Sequence, residues 1–169
     1  MPKTFTIKAG KNALAHIRKN GLSPNDISVI PAAAGGPKWI SLYAFDKYLL
    51  SNWFADRQKP LHLVGASAGA WRMLCYTLSD SLAALDRFLK YYVEQSYGDW
   101  PTTAELRYKM EEIISNTLGA EGKESLLVEQ VKRLYVISTE TNFRKKTNST
   151  YRKHFARIAS KNAISRKWM

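Results

Sequence analysis

Ser67 stands inside Gly65-Ala66-Ser67-Ala68-Gly69, a G-x-S-x-G pattern set between two apolar stretches. Leu61-His62-Leu63-Val64 before it has the length and composition of a buried strand, and no Pro or Gly interrupts Ala70 to Leu78 after it. A serine at a sharp strand-to-helix bend is held in strained backbone, and only small neighbours avoid a clash there. The bend lifts Oγ above the sheet edge, at the positive end of the helix that follows, where the Ala68 N–H can meet a developing oxyanion. The chemistry this pattern points to is nucleophilic attack on an acyl carbon.

An attacking serine needs an oxyanion hole, and Gly35-Gly36 is the obvious second source of donors. Two adjacent glycines ahead of a helix let backbone N–H groups approach a ligand without side chains in the way. Pro37 has no N–H, so Gly35 and Gly36 would supply the donors, and Lys38 adds a supporting cation at the same helix start.

The elements that must position these turns follow from the pattern. A short strand is expected over residues 4–8 and a helix over 9–20, stopped by Gly21. A β-branched run over 27–31 predicts the first central strand, and a long crossover helix follows over 39–55. Its aromatics, among them Trp39, Phe45, Tyr48 and Trp53, suit a buried crossover helix better than an acyl pocket. Strand, glycine turn, helix, strand, elbow, helix is a βαβ unit, which places both turns at the carboxyl ends of parallel strands. Helices are expected from Asp80 or Ser81 to about Tyr97, over 103–118 and over 121–130, and a third parallel strand over 132–139.

At this point the sequence resembles the patatin-like phospholipase family. Ala34-Gly35-Gly36-Pro37-Lys38 looks like its glycine-rich oxyanion element, and Gly65-Ala66-Ser67-Ala68-Gly69 looks like its nucleophile elbow. The Ala70-Trp71-Arg72 flank is similar to a bacterial branch, and the resemblance covers about residues 27–140. It implies a three-layer α/β/α sandwich with a parallel central sheet, and a lipid acyl hydrolase that uses a Ser–Asp dyad without histidine. Ser67 would be the nucleophile, with Gly35 and Gly36 in the oxyanion hole. Residues 1–140 would then be the N-terminal part of such a domain.

Two departures are visible. Ala33 and Ala34 stand where the family has an acidic residue, and Trp39 replaces the glycine after the basic position. The dyad aspartate belongs to a D-G-G or D-G-A motif, yet none of Asp26, Asp46, Asp56, Asp80, Asp86 or Asp99 precedes a glycine. The expectation is a form truncated at the C-terminal side, with a nucleophile and no base, and therefore little or no turnover. Glu140 and His154 follow Ser67 in the order of an α/β-hydrolase triad, but a weakly patterned tail gives His154 nothing to fix it. His16 and His62 lack ligand-spaced partners, so neither a metal nor any other cofactor is expected.

Charge divides the chain. Residues 1–140 carry 17 Lys and Arg against 14 acids, whereas residues 141–169 carry nine and no acid, which supplies most of the net +12. Residues 141–169 read as a basic tail, helical or disordered, with Tyr151, Phe155, Ile158 and Ala159 able to share a helix face. Such a tail suits the headgroups of an anionic membrane, and no nucleic-acid motif accompanies it. A non-catalytic basic protein on anionic membrane surfaces is the alternative to an ester-cleaving enzyme. One cysteine, Cys75, and no apolar leader point to the cytoplasm, at most peripheral to a membrane. Truncation would leave a sheet edge and apolar faces uncovered, so self-association is expected.

Overall fold

Apolar β-branched runs and amphipathic helical runs alternate along the chain, and the computed structural model describes residues 8–120, 122, 131–140 and 152–156. After helix α1 (Lys11–Asn20) come strand β1 (Val29–Ala32), a 3-10 segment (Gly36–Leu42) and α2 (Tyr43–Tyr48), which runs into a π-helical turn (Leu49–Trp53). Strand β2 (Leu61–Ala66) and helices α3 (Ala68–Thr77), α4 (Ser81–Val93) and α5 (Thr103–Leu118) follow. Strands β3 (Lys132–Glu140) and β4 (Arg152–Ala156) complete the described chain. The fold is of the α/β class: β1, β2 and β3 lie side by side in parallel, and β4 pairs antiparallel with β3.

Local chemistry explains most boundaries. Gly21 adopts φ +78° and its N–H caps the Ile17 carbonyl, as a glycine stop should. The Thr102 hydroxyl accepts the Glu105 N–H at the start of α5. β1 begins at Val29 rather than at residue 27, because the Ile27 N–H is spent on the Pro24 carbonyl. β1, expected as a central strand, has a neighbour on one side only among the described residues, and its Pro31, which lacks an N–H, is tolerated at such an edge. The helix expected to reach about Tyr97 stops at Val93, where the Gln95 side chain takes the Tyr92 carbonyl. Asp80 precedes α4 without capping it, since its carboxylate turns to Arg87 at 2.6 Å.

Two expectations change. The single helix over 39–55 is a succession of 3-10, α and π turns, and Phe45 and Tyr48 on it are exposed rather than buried. The extra residue of the π turn brings Leu50 and Phe54 together into the core. The tail segment expected as helix or disordered chain contains β4, and its pairing of His154 with Ser138 gives that histidine a fixed backbone place. Residues 4–7 of the strand expected over 4–8, and the helix expected over 121–130 apart from Gly122, lie outside the described residues, and Lys8 is not in a strand.

The sheet is two-faced. Ile30, Ala32, Leu61, Leu63, Leu134 and Val136 share one face and pack with Met73, Leu74, Tyr76, Leu85 and Phe88 of the helices. Val29, Pro31, His62, Val64, Tyr135 and Ile137 share the other, and none of them joins the core. Val29 is 48% exposed and Ile137 37%. Among the described residues the helices of the core cover one face, while the other keeps the apolar side chains of Val29 and Ile137 open, a feature that favours association. By light scattering the full chain is expected to run above its monomer mass, and Ile137→Lys to shift it towards monomer. A wild-type chain that stays monomeric at high concentration would contradict this.

Candidate active site

Ser67 is the only non-glycine residue with positive φ among the described residues, at φ 52° and ψ −133°. That conformation costs of the order of 1–3 kcal/mol and persists only where its surroundings enforce it. The enforcement is visible in two glycines. A Cβ on Gly65 would lie 2.5 Å from the Ala70 Cα, and one on Gly69 would lie 2.4 Å from the Ala32 carbonyl oxygen. Both obstacles are backbone and cannot swing aside. The first turn of α3 is thus pressed against the end of β1, and Ser67 is left exposed at the apex of the bend.

The same contact brings the second turn to this edge. Ala32 pairs with Gly65 in register, so the chain leaving β1 and the chain leaving β2 emerge side by side. Gly36 adopts φ +51°, which favours glycine, and Pro37 follows in the first helical turn. The first backbone bond of that segment runs from the Lys38 N–H to the Gly35 carbonyl. The N–H groups of Gly35 and Gly36 precede it and are not used by the helical ladder. Ala68 N–H likewise precedes the first bonds of α3, those of Ala70 and Trp71 to the Ser67 carbonyl. Lys38 is exposed beside the glycines.

Trp39, in the 3-10 segment after the glycine turn, is buried. It stacks on Phe88 with centroids 4.3 Å apart and meets Tyr92 edge-on. The Tyr92 hydroxyl lies 3.9 Å from where a Gly36 Cβ would sit. Burial, reinforced by Tyr97, holds the Tyr92 phenol above its ordinary pKa, so it is a neutral hydroxyl at physiological pH.

Residues that the sequence offered no reason to single out hold the two turns together. Asp46 of α2 is fully buried and receives Arg72 Nε at 2.5 Å, Arg72 NH2 at 2.7 Å and the Tyr76 hydroxyl at 2.7 Å. Burial alone would lower the Arg72 pKa, but the bonds and charge of Asp46 outweigh it and raise it. Burial first, then the Asp46 charge, push the Tyr76 phenol well up, so it remains a donor. The 3-10 segment that begins at Gly36 runs on into α2, and Ser67 immediately precedes α3, so this bidentate pair clamps the element after one turn to the element after the other. The i, i+4 spacing of Arg72 and Tyr76 on one helix was the available signal, but nothing local pointed to Asp46.

No side-chain hydrogen bond reaches Ser67 Oγ among the described residues. Asp46 is committed as above, Asp86 to Lys47 and Tyr43, Asp80 to Arg87, and Asp26 to His16 and the Ser23 N–H. Asp56 precedes β2, at the far end of the strands, and Asp99 is exposed between α4 and α5. Glu140 ends β3, and the registers put His154 level with Ser67 but two strands away. His62 Nδ1 lies 3.0 Å from the Tyr135 hydroxyl on the open face. Among the described residues no group of three or more His, Cys, Asp or Glu gathers as a metal site. Cys75 is buried, and burial raises its thiol pKa.

No family model, no curated protein and no solved structure matches the chain.

Three substitutions test this geometry by urea denaturation. Gly69→Ala is expected to cost about 3 kcal/mol, since two carbonyls would have to move. Ser67→Gly is expected to gain about 1 kcal/mol by releasing the strained backbone. Arg72→Ala, which strands a buried carboxylate, is expected to cost about 3–5 kcal/mol. Gly69→Ala as stable as wild type would refute the close approach at β1.

Proposed function

We propose that the protein is a patatin-like serine acyl hydrolase directed at lipid esters, with no carboxylate base bonded to its serine among the described residues. The observation that carries this reading is the strained, exposed Ser67 at a glycine-walled strand-to-helix bend, beside the Gly35-Gly36 turn. Ser67 Oγ would attack the ester carbon, and the N–H groups of Gly35, Gly36 and Ala68 would hold the oxyanion. Lys38 would add positive charge nearby. Collapse of the tetrahedral intermediate would release the alcohol, and water would release the fatty acid. A complete three-layer sandwich would need a second helical layer over the face that carries Val64 and Tyr135, and a carboxylate to accept the serine proton. With no carboxylate bonded to Ser67 among the described residues, turnover by this chain would be slow.

That last point also favours a second reading, a non-catalytic protein that sits on anionic membranes. No described helix is long and apolar enough to cross a membrane. The buried lone Cys75 supports a place in the reducing cytoplasm.

A fluorophosphonate probe tests the site. Slow phosphonylation is expected on the peptide that bears Ser67, absent from Ser67→Ala. His154→Ala should leave the rate unchanged, because two strand spacings put about 10 Å between the backbones. Labelling as fast as in a complete serine hydrolase would overturn the missing base. An adduct elsewhere, or none above the Ser67→Ala background, would overturn the nucleophile.

A further inference from the structure

α3 descends from Ser67 and α4 climbs back, with Phe88 against Trp71 and Tyr92 beside Gly36. The connection from α4 to α5 therefore lies at the nucleophile's end of the molecule. It exposes an unusual group of side chains: Trp100 is 92% exposed, Val93 61%, and Tyr97 is also open to solvent. An indole left almost wholly in water buries none of its large apolar area against its own fold. The flanking Glu94 and Asp99 are exposed, so this loop is aromatic without being cationic. Positive charge lies at the same end. Lys38 is exposed at the glycine turn, and the β3–β4 register carries the backbone of Lys153 and Arg152 beyond the level of Ser67.

We propose that the nucleophile's end of the molecule is a lipid-docking surface, with the Val93–Trp100 connection as its apolar wedge. Exposed aromatics and the exposed Lys38 at one end of the molecule match the two layers of an anionic bilayer surface. Trp and Tyr favour the headgroup level, where a ring is half in hydrocarbon and its polar tip stays wet. Lys and Arg are drawn to the anionic phosphates beside them. The docked orientation would present Ser67 to the ester bonds just below the headgroups. This inference rests on the acyl hydrolase reading only for what Ser67 would meet there.

Partition of the full chain into vesicles of phosphatidylglycerol and phosphatidylcholine tests the surface without relying on turnover. Trp100→Ala is expected to weaken partition roughly tenfold, the apolar area of one indole being lost from the interface. Tyr48→Ala removes an exposed aromatic at the far end of α2 from the glycine turn and should leave partition unchanged. Acyl-brominated lipids should quench tryptophan fluorescence in the wild type, and much less in Trp100→Phe. Trp100 makes few contacts with the fold, so its variants should keep the wild-type circular dichroism. Absent binding, unchanged binding by Trp100→Ala, or an equal loss in Tyr48→Ala would overturn the proposal. So would a lipid-free oligomer that Trp100→Ala dissolves, which would make the patch a protein interface. Vesicle binding without any adduct on Ser67 would keep this surface and remove the hydrolase.

Discussion

The approach of Gly69 to the carbonyls of Ala32 and Ala33 is the constraint on which the rest depends. No side chain fits between the first turn of α3 and the end of β1, so the two backbones meet directly. With α3 held there, the chain from β2 must turn within a single residue. Ser67 is that residue, and its positive φ is the local consequence of a tertiary contact. The strain is small beside the apolar burial of Leu61, Leu63, Met73 and Phe88 beneath it, so the packing can hold it.

The buried pair of Asp46 and Arg72 complements that contact at a greater depth. A buried ion pair contributes little net stability, because desolvation offsets most of the attraction. Its bidentate geometry nevertheless sets α2 against α3 in one register, and the Tyr76 hydroxyl fixes the same carboxylate from the next turn. Trp39 and Phe88 fill the space between this pair and the glycine turn with stacked rings. The backbone contact, the ion pair and the stack all act on the relative position of Ser67 and Gly35-Gly36. Acyl transfer would require that kind of preorganisation.

The other side of the sheet has a different character. Val29 and Ile137 stay open, and His62 and Tyr135 bond to each other across the strands instead of to a covering helix. Among the described residues no side-chain hydrogen bond reaches Ser67 Oγ either.

The sequence by itself determined the local elements: the strand before Ser67, the helix after it, and the glycine stop at Gly21. Each depends on residues within a few positions, so periodicity and turn chemistry suffice to find them. It also determined that Gly35, Gly36 and Ser67 lie at strand-to-helix turns, since these are the places where small residues interrupt apolar runs. Only the tertiary structure decided how closely Gly69 approaches the end of β1, that Asp46 reaches Arg72 across 26 positions, and that β4 lines up His154 with Ser138. Only it decided which face of the sheet the described helices cover, and that Trp100 faces water at the Ser67 end of the molecule. Those outcomes depend on contacts between residues far apart in the chain, whose pairing leaves no periodic trace in either partner's neighbourhood.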